Sequence, residues 1–192
     1  YMQGIPLNER KRLGALLDDR PQTEVMAMIP QFSQAETDNF VAPPAQIPEA
    51  LGVLMFNMER GVNLPEIQEF LRDCPDIQPF DVILANELDD GCARSGNKNT
   101  ARELAQAFGL NYAWGLEFIE LVDDENAKGF HGNAVFSRWP IRRAGVIRLP
   151  EQYNWYFDRQ KRIGGRLAVF AELDVGGQPV GAVSIHLENR TH

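Results

Sequence analysis

Asp81-Val82-Ile83-Leu84-Ala85-Asn86-Glu87-Leu88-Asp89 is the stretch on which the reading of this chain turns. Four consecutive apolar residues stop at an amide and a carboxylate. Unbroken apolarity over so short a run predicts a strand buried on both faces rather than one that alternates between core and water. The polar pair Asn86-Glu87 then predicts the strand's end, and Asp89-Asp90-Gly91 a turn.

Working outward, the same pattern occurs just upstream. Leu51-Gly52-Val53-Leu54-Met55-Phe56 is a second apolar run, stopping at Asn57. Between the two runs, Asn63 and Pro65 open a helix whose stripe is Ile67, Phe70 and Leu71, and Pro75 ends it. Downstream, Thr100-Ala101-Arg102-Glu103 has the form of a capping box, with Gly109 as C-cap. From Tyr112 onward strands dominate. Segments 112–121, 133–138, 144–149, 166–173 and 179–186 carry strand patterns, and Gly176-Gly177 marks a hairpin. Helices between early strands followed by hairpin-linked strands predict an α/β (α+β) layered sandwich with mixed sheets.

The first 49 residues differ in texture. Leu7 to Leu17 reads as a helix with Asn8 as N-cap, and the polar stretch 31–39 leads into the Pro43-Pro44 segment. This reads as an arm packed on, or leading into, the main domain.

The 192 residues suffice for one domain with a real core. A net charge of −8 argues against broad, sequence-blind nucleic-acid binding, which needs a basic face. It leaves room for a site where a bound cation supplies local positive charge. No apolar run approaches the ~18 to 20 residues of a membrane span, and no signal peptide is visible. The chain starts at Tyr1 rather than Met, so a trimmed N-terminus is expected, in a soluble protein either cytoplasmic or exported after signal removal. Cys74 and Cys92 are too few for a disulfide framework and are expected as free thiols.

Three polar residues share one context: Asn57, Glu87 and His186 each follow an apolar strand directly. A rigid core can fix such a backbone while the side chain reaches solvent. Glu87 offers a hard oxygen ligand suited to magnesium, which takes one or two carboxylates and keeps several waters. Asn57 can orient a ligand without titrating, and His186 can donate to a phosphate oxygen or exchange a proton near neutral pH. Each also has an ordinary structural explanation as a turn, cap or solvated residue. His131, in a glycine-rich loop, is a weaker candidate, and His192 is terminal. Arg94, which follows the Glu87 strand, can meet a substrate phosphate. Lys161-Arg162 reads as solvated surface, and Trp155 and Tyr156 as a substrate-side loop or a cover for the core.

The order of segments resembles the endonuclease/exonuclease/phosphatase family. The resemblance rests on the strand ending in Asn57, the strand ending in Glu87, and Gly132-Asn133-Ala134-Val135-Phe136-Ser137-Arg138-Trp139-Pro140-Ile141. It is completed by Val183-Ser184-Ile185-His186-Leu187, with Gly164-Gly165-Arg166 before the preceding strand. Asn86 stands where the common form has Gln. The resemblance covers residues 50–192, leaving 1–49 as the N-terminal helix and Pro-rich arm.

It implies a deoxyribonuclease-I-like α/β/β/α sandwich and a metal-dependent phosphoester hydrolase. Glu87 would bind Mg2+, with Mn2+ as an alternative, and Asn57 would position phosphate or water. His186 would contact the scissile phosphate, Glu117 would orient His186, and Asn133 would support the site. The substrate would be a phosphate ester: a nucleic acid, a phospholipid headgroup or a small ester. The family pattern continues with Gly-Asp-x-Asn and a terminal Asp-His, which this sequence does not contain. The domain is therefore expected to be incomplete at its C-terminus, its other half on another chain or segment, and these residues alone to be inactive. The contrasting expectation is a non-catalytic binding module on a degenerate or truncated version of the fold.

Overall fold

The computed structural model describes residues 1–189, so His192 lies outside the described residues. Three layers stack. Helices cover one face of a large sheet, and a small sheet covers the other.

The chain enters through α1 (Leu7–Leu16) and α2 (Gln22–Met26), then β1 (Ala35–Asp38) and β2 (Val53–Arg60). Next come α3 (Leu64–Asp73), β3 (Val82–Asp90), α4 (Thr100–Phe108), β4 (Asn111–Glu120) and β5 (Phe130–Ser137). Then follow β6 (Ile141–Arg148), β7 (Arg162–Gly164), β8 (Leu167–Val175) and β9 (Gln178–Ile185). The large sheet runs β1-β4-β5-β3-β2, with β7 also paired to β4, and the small sheet runs β6-β8-β9. Only β2 and β3 pair in parallel, because helix α3 carries the chain back between them. The layering matches the expected sandwich, with a mixed large sheet and a small sheet whose described strands are antiparallel.

β3 is buried on both faces, as its apolar run predicts. Ile83 and Ala85 face the helical core, and Val82 joins the inter-sheet core with Val135, Val169 and Leu173. β2 is different. Leu54, Phe56 and Met58 pack toward the helices, while Val53 and Met55 stay exposed at 58% and 74%. The small sheet packs mainly over β1, β3, β4 and β5.

Four local expectations are revised. α1 starts after Pro6, which leaves Asn8 inside the helix with no capping role. Asn99, not Thr100, caps α4 through the Arg102 amide, and Thr100 Oγ1 instead donates to the Asp89 carbonyl. Asp89 and Asp90 are buried strand residues, so β3 runs on to Asp90 and the turn begins at Gly91. The polar stretch Ala35–Asp38 is an edge strand paired with β4. Its Glu36 is buried and accepts from Tyr112 Oη at 2.5 Å and Asn99 Nδ2 at 3.1 Å.

The first 49 residues pack into the same helical core: Leu13, Leu17, Val25, Ile29 and Phe32 meet Leu121, Tyr156 and Ile163. Both cysteines are free thiols. Among the described residues, no helix is long and apolar enough to cross a membrane.

Candidate active site

The sequence places Glu87 at a strand end, but it lies inside β3, at a break in register between Ala85 and Leu88. Two more breaks lie on either side of it. β2 loses register between Asn57 and Arg60, and β4 slips against β5 between Leu116 and Phe118, at Glu117. Three of the expected site residues thus sit at irregularities on three strands of one sheet. A bulge re-aims a side chain that regular pleating would point elsewhere. Glu87 adopts φ +59°, and Glu59 and Arg60 adopt +46° and +67°. Such left-handed backbone costs a non-glycine residue about 1 kcal/mol or more, so the surroundings must hold it. Asn133 does part of this, its Oδ1 accepting from the Glu87 amide at 3.2 Å.

His186 does follow its strand directly. Its ring crosses from the small sheet to the large one, with Nε2 3.7 Å from Glu87 Oε1. Asn86 and Ser184 lock the two sheets together beside it. Ser184 Oγ donates to Asn86 Oδ1 at 3.1 Å and Asn86 Nδ2 donates to the Ile185 carbonyl at 3.3 Å. Asn57 is exposed and folds back on its own strand, accepting from the Glu59 amide at 2.9 Å.

Glu117 is fully buried behind His186, with Oε2 3.4 Å from Nδ1. Arg166 Nη1 reaches Glu117 Oε1 at 3.2 Å and the same Nδ1 at 2.8 Å. A guanidinium can only donate, so Arg166 needs an Nδ1 lone pair and leaves the hydrogen on Nε2, which faces Glu87. Bonding to Glu117 needs Nδ1–H instead. The two contacts are alternatives selected by whether Nδ1 carries a hydrogen. Burial alone would raise the Glu117 pKa. The His186 hydrogen bond and the charges of His131 and Arg166 outweigh it and hold the carboxyl below its ordinary value.

Behind Glu117 lies a second buried histidine. His131 Nδ1 is 2.8 Å from Asp89 Oδ1, and its Nε2 is 3.8 Å from Glu117 Oε2. Asp89 is likewise held below its ordinary pKa, because hydrogen bonds from His131 and Arg94 outweigh its burial. Arg94 does not join the Glu87 group as its sequence position suggested. Its guanidinium grips Asp89 twice, at 2.7 and 2.9 Å, and Glu120 at 2.9 Å. Its role here is to neutralise two carboxylates on the β3–β4 side of the sheet.

A pocket of about 450 Å³ opens beside Glu87 and is lined by Arg60, Trp155, Arg159, Arg162 and Arg166 among others. Arg162, expected at the surface, is 6% exposed. Short β7 carries it against β4, and Gly164 makes the approach possible. At φ +138°, a Cβ there would sit 2.1 Å from the Glu117 carbonyl. No local pattern could have revealed this, because a three-residue strand has no periodicity. Trp155 lines the pocket, while Tyr156 faces the core and donates to Asp18 at 3.0 Å.

The arrangement joins a strained carboxylate, a histidine held by a buried acid, and a cationic hollow. Glu87 has no Lys or Arg within ion-pair distance among the described residues; it lines the pocket with His186 Nε2 3.7 Å from its Oε1. No three His, Cys, Asp or Glu side chains gather there as a metal cluster among the described residues.

Solved structures with this architecture include an endonuclease/exonuclease/phosphatase from Beutenbergia cavernae, with a TM-score of 0.51 at 22% identity over 70% of this chain. An endonuclease/exonuclease/phosphatase family protein from Leptotrichia buccalis has a TM-score of 0.50 at 19% identity over 72% of the chain. The fold is therefore the deoxyribonuclease-I-like sandwich of endonuclease/exonuclease/phosphatase proteins. The matches span 37% and 55% of those two chains, so this chain corresponds to only part of their length. No family model matches the sequence, and no curated protein matches it significantly.

Proposed function

We propose that these residues supply the Asn57, Glu87, Glu117 and His186 portion of a magnesium-dependent phosphoester hydrolase site. The observation that carries this is the meeting of Glu87 and His186, from different sheets, at 3.7 Å on the edge of an arginine-lined pocket. Glu87 would hold Mg2+, or Mn2+ in its place. The bound ion supplies Lewis-acid charge and an acidified water. His186 Nε2–H donates to a phosphate oxygen as negative charge develops there. Glu117 fixes the imidazole from behind, and protonated His186 gains its Nδ1–H···Glu117 bond while losing the Arg166 contact. Asn57, exposed beside the bulge, orients phosphate or water, and Asn133 holds the Glu87 backbone. The substrate class is a phosphate ester, whether nucleic acid, phospholipid headgroup or small ester.

Calorimetric titration of the complete protein with magnesium, together with its turnover of a model phosphodiester, tests the proposal. Glu87→Gln is expected to abolish magnesium binding and to lower turnover by about a hundredfold or more. Absence of magnesium binding in the unsubstituted protein, with no change on Glu87→Gln, refutes it and leaves the non-catalytic binding module.

A further inference from the structure

Arg162 is the one pocket cation whose burial the proposed chemistry leaves unexplained. Its guanidinium lies 4.3 Å from the Phe118 ring and 4.0 Å from the Trp155 ring. Among the described residues no carboxylate comes within ion-pair distance of it, no oxygen accepts from its side chain, and its Nε is buried without a partner. Neighbouring Arg166, by contrast, is committed to Glu117 and Glu188. A desolvated cation without a counter-charge is costly. Burial accordingly pushes the Arg162 pKa down to about 10. The two rings stand edge to face at 69° and both lie against the guanidinium, while Arg162 also lines the pocket, where a guanidinium can meet phosphate.

Arg60 and Arg159 line the same hollow, and its acidic lining residues are Glu87 and Asp158. In a chain of net charge −8, this is a local concentration of positive charge. Arg60 is placed there by the left-handed backbone that follows the Asn57 bulge.

We infer that Arg162, flanked by Arg60 and Arg159, is a second phosphate subsite beside Glu87 and His186, and that the substrate carries a second phosphate group next to the scissile one. The inference rests on the phosphoester reading for what happens at Glu87, but the subsite itself binds anion without metal.

The test is metal-free calorimetry of the 192-residue chain with pyrophosphate and orthophosphate. Pyrophosphate is expected to bind more tightly than orthophosphate. Arg162→Gln is expected to weaken pyrophosphate about tenfold or more, as loss of a charge-assisted pair should, while Glu87→Gln leaves it as tight or tighter. A folded Arg162→Gln variant with unchanged affinity overturns the subsite. If circular dichroism shows that variant unfolded, Arg60→Ala with Arg159→Ala takes its place. Neither residue is buried, the same loss is expected, and unchanged affinity again overturns it.

Displacement of pyrophosphate by a nucleoside diphosphate places the two phosphates in direct linkage. Displacement by a 5′-phosphorylated dinucleotide places a sugar between them. Displacement by neither counts against the inference. Failure of the hydrolase reading shows separately, as magnesium-dependent turnover of the complete protein that is indifferent to Glu87→Gln while pyrophosphate binding persists.

Discussion

Arg166 Nη1 holds Glu117 Oε1 and His186 Nδ1 at once, at 3.2 and 2.8 Å, tying a buried acid on the large sheet to a histidine on the small one. Glu117 is fully buried and Arg166 nearly so, so each depends on the other. Arg166→Met should leave an uncompensated buried carboxylate and cost about 3 to 5 kcal/mol. The double variant Arg166→Met/Glu117→Gln should recover a large part of that loss. Urea unfolding of the single and double variants measures it, and equal losses in both would show that the pair is not coupled.

Acid should remove part of this stability. The folded pKa values of Glu117 and Asp89 lie below their ordinary values, so both bind protons more weakly when folded. Their contribution is complete above the unfolded carboxylate range near ~4 and is lost as pH falls through the lowered folded values. Asp90, raised by burial, acts in the opposite sense. Followed by circular dichroism between pH 6 and 2, ~the usual acid window, Glu117→Gln should show a shallower loss of stability with acid than the unsubstituted protein. An identical slope would contradict the assignment.

His131 links Asp89 to Glu117 inside the sheet. His131→Leu removes the donor to Asp89 Oδ1 while Arg94 still holds that carboxylate. Arg94 Nη2 still donates to Oδ1, so the expected cost is about 1.5 to 3 kcal/mol, that of one hydrogen bond to a charged group. Thermal unfolding of His131→Leu alone and combined with Asp89→Asn reads the coupling, and strict additivity would show that the contact carries none.

Gly164 is needed where β7 meets Glu117. Gly164→Ala brings a Cβ to 2.1 Å from the Glu117 carbonyl at a φ of +138°. A strained backbone and a steric clash together predict a loss above ~2 kcal/mol. Hydrogen exchange should localise the damage to β7 and the Arg162 side of the pocket; normal protection at Ile163 would refute this.

Asn57 separates function from stability. It is exposed, and its Asx turn to the Glu59 amide is its only side-chain hydrogen bond among the described residues. Asn57→Ala should therefore change stability by about 1 kcal/mol or less. If the proposed hydrolysis holds, turnover should fall far more than that. Stability and turnover falling together would make Asn57 a structural residue.

The stretch 81–89 by itself determined a buried strand bearing a carboxylate, because an apolar run fully shielded from water needs no neighbour's identity to be recognised. The same logic located β2, α3, α4 and the hairpin at Gly176-Gly177, and the motif order pointed to the family whose fold the structure shows. Tertiary structure decided the rest. The bulges at Asn57, Glu87 and Glu117 depend on register between strands far apart in sequence. The commitment of Arg94 to Asp89 and Glu120, the burial of His131 between two acids, and the packing of Arg162 against two rings all depend on which strands pair. Charge and polarity are properties of a residue and can be read along the chain. The partner that satisfies a charge, or leaves it open for a ligand, comes into being only when the sheets pack.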